Sequence, residues 1–317
     1  DPAYKEVSHV PLFSIHQIGL ILIAYTGVFG SIALHLYTGI PIWMLYPIMI
    51  FSFFISFTPL HDSTHRAVSS NNTLNDVLGT ISSFLLLPMS NAIGYRYLHL
   101  THHRYVGDKD LDPDEPMVYI PTKYFPFGYL ALFFPDVLWA YWTVFKGWKR
   151  VPVSLRVNIL GMIFGNAVFH LIFLLSPIGL EYFILFFIPN RIGICYIAFA
   201  FAHAPHPEGL KWNDFPLSTT FKLTGNKILM KSLFGQDHHA MHHFLPHIPW
   251  YKYYKAWDLA NGVFRFQSIP EKRLFSKPDL HFKDKIQSNI SIQNETINVR
   301  VTKVEQVAKN IKTFVFT

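Results

Sequence analysis

Long apolar runs alternate along this chain with short polar clusters at their ends. Pro41 to Pro59 is uncharged for nineteen residues and Val157 to Leu180 for twenty-four, each long enough for the helix of about 20 residues that crosses a hydrocarbon core. Leu12 to Tyr37 is a third such run. Tyr182 to Ala202 is a fourth, interrupted by Pro189, Asn190 and Arg191, which predicts a kink or shielding by neighbouring helices. Two further apolar stretches carry polar residues inside them. Leu74 to Tyr95, with Asp76, Pro88 and Asn91, is expected at the membrane interface or dipping into it. Tyr124 to Phe145, with Asp136 and two internal prolines, reads as an interfacial element or a re-entrant pair. Trp250 to Trp257, rich in tyrosine with Lys252 and Lys255, has the make-up of a headgroup-level belt.

The pattern predicts an all-α integral membrane bundle over residues 1–267, with about four transmembrane helices, interfacial helices and a polar cap rich in histidine. Polar residues rise through 268–295, which reads as a linker. In 296–317 the segments Ile297 to Val304 and Ile311 to Thr317 alternate as strands do. Two strands cannot bury a core of their own, so a β-domain is expected to continue past Thr317.

Composition sharpens this picture. Only 15% of residues are charged, against roughly 25% in soluble domains. The connections Thr38 to Ile40 and Ser176 to Glu181 hold no Lys or Arg, whereas Leu60 to Arg156 holds nine and the chain after Ala202 sixteen. Cytoplasmic loops retain basic residues, so both termini and every histidine cluster are expected on the cytoplasmic side. The net charge of +7 suits anionic headgroups and requires no nucleic acid. The single Cys195 excludes a disulfide framework and any four-cysteine iron-sulfur cluster within this chain, so electrons for redox chemistry must come from elsewhere. No cleavable signal peptide is visible before the first apolar run, and a first residue Asp1 instead of Met suggests a trimmed sequence.

Eleven of the seventeen histidines fall in four clusters at the ends of the apolar runs: His61/His65, His99/His102/His103, His203/His206 and His238/His239/His242/His243. Residues three or four apart share one helix face, so the first, second and fourth clusters each offer paired imidazoles to one point. Eight or nine such donors exceed the four of a tetrahedral zinc site, and two metal ions account for them better than one. Imidazole itself suits iron, zinc, copper and nickel. Metal-bound imidazoles usually give their second nitrogen to a carboxylate or carbonyl, a role open to Asp62, Asp108, Asp112 and Asp237. Arg191 in an apolar run is a functional residue or a paired one. A metal transporter would place histidines within the crossings and towards both faces, unlike this one-sided pattern.

The three boxes His61 to His65, His99 to His103 and His239 to His243, with Ala204-Pro205-His206 before the third and Leu245 to Trp250 after it, resemble the membrane fatty acid desaturase and hydroxylase superfamily. The loop Gly107 to Asp114 is similar to the acidic loop of bacterial desaturases and carotenoid ketolases. The resemblance covers about Phe51 to Trp257. It implies a non-haem di-iron site with His61, His65, His99, His102, His103, His206, His239, His242 and His243 as ligands, His203 or His238 as further candidates, and dioxygen and two electrons consumed. It implies oxygen-dependent desaturation of an acyl chain, as lipid, thioester or free acid. The alternative is hydroxylation or ketolation of alkanes, aromatic side chains or carotenoids at the same site. The animal stearoyl-CoA branch carries an asparagine four residues before its lone histidine, where this chain has Ala202 before His206 or Phe199 before His203. Thr296 to Phe316 resembles the opening strands of the flavin-binding barrel in ferredoxin-NAD(P) reductases. That likeness implies a fused or partner reductase with FAD and a 2Fe-2S cluster as electron donor, and the whole pattern suggests a bacterial inner membrane.

Overall fold

The computed structural model describes residues 2–120, 124, 126–206, 211, 219–263, 269, 271–274, 301–308 and 311–316. It divides into two units, Asp1–Pro278 and Asp279–Thr317. In the second unit the described residues form an antiparallel pair of strands, Val301–Ala308 against Ile311–Phe316. The sequence-based linker lies almost wholly outside the described residues, as does the start of the first strand at Ile297.

The first unit is helical, as its apolar runs predict. Short helix α1 (Pro2–Ser8) precedes α2 (Ile15–Thr38) and α3 (Ile42–Thr64), which pack along each other as a hairpin. Ser14 caps the start of α2, and Gly39 closes its end at φ 73°, a conformation glycine adopts without steric cost. Two later helices, Val153–Leu174 and Gly179–His203, complete four elements long and apolar enough to cross a membrane. Exposed Leu22, Phe29, Trp43, Phe164 and Leu171 on these helices suit contact with lipid, where apolar exposure carries no hydrophobic penalty.

Leu74 to Tyr95 forms a helical hairpin, α4 (Asn72–Leu86) and α5 (Ala92–Tyr105), inserted among these four. Its tip, Leu87 to Asn91, breaks the backbone ladder. Such a break is tolerated at membrane depth only where protein satisfies the freed groups, and here neighbouring spans do so. Asn190 donates to the carbonyls of Leu85 and Leu86, 3.3 and 2.9 Å away, and Asn166 accepts from the Met89 N–H at 2.9 Å. Asn91 caps α5 by accepting from the Gly94 N–H at 2.8 Å, and Ser82 donates to the Ser56 carbonyl of α3. Asn190 thus faces protein, which explains a polar residue in the fourth span. The π-helical turn Phe183–Phe187 sits just ahead of Pro189, whose missing N–H interrupts the helical ladder there.

Tyr124 to Phe145 becomes a 3₁₀ turn, Phe127–Phe133, followed by α7 (Pro135–Tyr141), which runs into a π-helical turn at Trp142–Gly147. The 3₁₀ turn packs against the fourth span. On the histidine side, α6 (Glu115–Val118), the helix His239–Phe244 and the helix Tyr253–Val263 close over the spans, with strands Lys222–Thr224 and Glu271–Arg273 pairing in parallel.

Candidate metal centre

Each histidine cluster is delivered by a different element to one buried volume. His61 and His65 lie at the end of α3, whose last carbonyls would otherwise face an apolar interior unpaired. Arg96 of α5 donates to the carbonyls of Ser63 and Thr64 at 2.8 and 3.2 Å, and Asn75 of α4 donates to Ser63 at 2.8 Å. Asp76 accepts from Arg96 and Arg66, so the cation that caps the first box is held by its own counter-charge. The first box is therefore locked to the helix carrying the second, with His99, His102 and His103 on successive turns of α5.

The rings meet in two groups. The nitrogens of His65, His99, His103 and His242 lie within 4.8 Å of one another, and so do those of His102, His206 and His243. His61 stands against the first group, its ring centroid 4.1 Å from that of His242 and 4.5 Å from that of His99. His239 stands against the second, 4.7 Å from His243 and 5.1 Å from His206. Two groups, not one, match the donor count read from the spacing.

The hydrogen bonds set the tautomers. His206 Nδ1 faces the Thr219 carbonyl at 2.9 Å, His239 Nδ1 the Gln236 Oε1 at 2.8 Å and His102 Nδ1 the Asp112 carboxylate at 2.9 Å. All three partners only accept, so Nδ1 carries a proton in each, and in the neutral ring Nε2 is the nitrogen left with a lone pair. His242 Nδ1 pairs with the Tyr253 hydroxyl at 2.9 Å. In the first group, Nε2 of His103 lies 3.1 Å from that of His99 and 2.9 Å from that of His242, and His99 lies 3.3 Å from His242. Three such nitrogens cannot all be satisfied by one another, whereas donors about 2.1 Å from a shared metal sit roughly 3 Å apart. Both nitrogens of His61 and Nε2 of His65 and His206 are buried without any partner. Orphaned imidazole nitrogens in this number, at this cost of burial, fit a pair of metal ions.

Electrostatics agree. Burial pushes His65, His99, His103, His206, His239, His242 and His243 well below the ordinary imidazole value, and neighbouring imidazoles add to the effect. They are held neutral, the metal-binding form. His102 differs: burial alone would lower it, but the Asp112 and Asp114 carboxylates outweigh burial and push it up to about 9.

The other residues singled out in the sequence are placed as follows. His203 turns its Nδ1 to the Met117 and Val118 carbonyls, 3.3 and 3.2 Å away, and joins neither group; His206 occupies that place. His238 packs on Tyr254 and Trp257 beside Asp237, and Asp237 accepts from Tyr254 at 3.0 Å. Asp62 accepts from Gln17 at 2.6 Å and from the Trp250 N–H at 3.1 Å, with its other oxygen 3.5 Å from His61; it joins α2, α3 and the segment after the third box. Asp108 accepts from the Asp110 and Leu111 N–H groups and from Lys211, so it shapes its loop and meets no described imidazole. Asp114, Thr219, Gln236 and Tyr253 touch the cluster yet carry no spacing signal; only Asp114 lies within the acidic run visible in the sequence.

Beside the cluster opens a narrow, mostly apolar pocket. His61, His99, His102 and His239 line it together with Tyr95 and Asp114, and the rest of the lining is apolar, with Phe57, Trp139, Ile197, Ala198, Phe201 and Ala202 among it. The π-helical turn Ala198–His203 supplies three of these residues, Ala198, Phe201 and Ala202, and such turns are common at functional sites. Ala198 and Ala202 leave room that larger side chains would fill.

No curated protein matches the chain. A family model described as fatty acid desaturase matches residues 20–274, which take in most of the first span, the other three spans, every histidine of both groups and the pocket lining. The chain belongs to the fatty acid desaturase family, membrane di-iron oxidoreductases, and its buried histidine groups are of the kind such a centre requires.

Proposed function

We propose that this protein oxidises an unactivated C–H bond of a fatty acyl chain, forming a double bond, with electrons delivered by a fused or partner ferredoxin/flavin reductase. The observation that carries this reading is the apolar pocket that opens directly onto two imidazole groups. Such a pocket suits a hydrocarbon chain, which gains about 25 cal/mol per Å² of apolar surface buried, and offers few polar groups to hold anything else.

In this reading His65, His99, His103 and His242 hold one iron, His102, His206 and His243 the other, and His61 and His239 complete them. Asp112 orients His102, while Asp62 and Asp237 brace the first and third boxes. A bound iron pair would supply the dioxygen activation that makes a strong C–H bond breakable. The protein's own residues supply position and dryness. Phe57, Phe201 and Trp139 exclude water from the pocket and present a chain segment to the imidazole wall. Thr219, Gln236 and Tyr253 keep Nε2 lone pairs inward, so donors are pre-aimed and need no reorganisation.

Basic residues concentrated after the second and fourth spans support a cytoplasmic site and cytoplasmic termini. The strand pair Val301–Ala308 and Ile311–Phe316 supports a domain division at the end of the helical unit; a reductase with FAD and a 2Fe-2S cluster as the electron source rests on the sequence resemblance alone. Purified protein is expected to hold two irons per chain. Incubated with whole lipid extract, a reductase system and labelled oxygen, it is expected to give products lacking two hydrogens and carrying no label. Products that gain one labelled oxygen would replace desaturation with the hydroxylase or ketolase reading at the same site.

A further inference from the structure

Arg191 lies twelve residues before His203 in the fourth span, about 18 Å along a helix axis from the histidine end. A cation at that depth is expensive unless it is paired. Its guanidinium is buried, 2.9 Å from Asp136 Oδ1 and 3.0 Å from His170 Nε2, between the rings of Phe134 and Phe187. Asp136 opens α7, and Trp139 sits three residues later on the same helix face. Trp139 lines the pocket and donates through Nε1 to Asp114 Oδ1 at 2.7 Å. The other oxygen of Asp114 is 3.7 Å from His102 Nδ1. Each contact in this series is direct, and α7, a rigid helix, links its two halves.

We propose that the Arg191–Asp136 pair is a positioning device for one half of the metal centre: it fixes α7 in depth, so that Trp139 holds Asp114 turned towards His102. Neither Arg191 nor Asp136 touches an imidazole of either metal group, so the effect passes through Trp139 and Asp114. His102 belongs to only one of the two imidazole groups, and the consequence is asymmetric. The inference rests on the reading of His102 as an iron ligand.

The test uses the full chain in lipid nanodiscs, loaded with isotopically enriched iron and followed by Mössbauer spectroscopy. Trp139→Phe keeps the ring and removes the N–H. Asp136→Leu/Arg191→Met removes both charges together and so leaves neither buried alone, the costly outcome of single substitutions. Both variants are expected to retain two irons and to shift the signal of one of them. The double variant is also expected to raise hydrogen–deuterium exchange across 127–141 by roughly tenfold or more, as an untied segment opens more readily. Spectra unchanged in both variants, or both iron signals altered alike, would overturn the positioning role. Wild-type protein without two irons would instead overturn the reading of the site itself.

Discussion

The two imidazole groups are built on different principles. The first takes His65 from α3, His99 and His103 from α5, and His242 from the third box, with three Nε2 atoms facing one another. Its geometry follows from helical spacing plus the Arg96 cap that joins α3 to α5. The second takes His102, His206 and His243, and its orientation depends on acceptors outside any histidine box: Asp112, the Thr219 carbonyl and, for neighbouring His239, Gln236. Helix geometry can aim a pair of rings. It cannot choose which ring nitrogen keeps the proton, and carboxylates and carbonyls do that. The second group also contains His102, which its carboxylate partners push above the ordinary imidazole value.

The sharpest way to break this comparison is to delete a ligand. His102→Ala is expected to lose iron from the second group and to cut turnover by more than about 100-fold, beyond the 10–100-fold effect of an outer partner. The helical circular dichroism should remain that of wild type. Full activity with two irons per chain would end the assignment.

The next contrast is with pH. In metal-free protein His102 stays protonated up to about 9, so metal must displace that proton, and affinity at the second group should fall about tenfold per pH unit below 9. The first group, whose imidazoles are already neutral, should be flat over the same range until its lowered values are reached. Metal titrations read by proton release would show about one proton from the second group at pH 7, about half a proton at pH 9, and none from the first at either pH.

Asp112→Asn tests the cause of that difference. Asp112 is fully buried and also accepts from the Gly107 N–H at 2.8 Å and the Asp114 N–H at 2.9 Å. The substitution is expected to weaken one iron by about 10–100-fold and to flatten the pH dependence above pH 7, leaving the first group intact. Tyr253→Phe probes the first group in turn. It removes the hydroxyl on His242 Nδ1, a hydrogen bond worth about 0.5–1.5 kcal/mol, and should weaken only that iron by a few fold. At the bottom of the scale, Glu6→Gln deletes an ion pair with Lys255 in open solvent and should leave iron content and melting temperature unchanged.

The architecture shows the same division between near and far. Hydropathy finds all four spans, because burying or lipid-facing twenty apolar residues requires a run that can be read one residue at a time. The i, i+4 pairs at His61/His65, His99/His103 and His239/His243 are legible for a similar reason: one turn of helix brings them together. Spacing does not separate His206 from His203, since both sit at the end of the same span; the Pro205-His206 pair of the resemblance points to His206, and it is His206 that joins the second group while His203 turns to the Met117 and Val118 carbonyls. Asn190 and Arg191 look like flaws in an apolar run until the Leu85 and Leu86 carbonyls at the end of α4 and the carboxylate of Asp136 are seen against them.

Spacing and hydropathy, which act within about one helical turn or one membrane thickness, were sufficient for the helical membrane class and its histidine-rich end. Which nitrogens point inward, how donors divide between two groups and why charges lie within the bilayer depend on partners tens to hundreds of residues away, such as His99 with His242 and Asp62 with Trp250. Those pairings arise only when the chain packs, because a hydrogen bond or ion pair is decided by where two groups end up in space, and separation along the backbone carries no record of that.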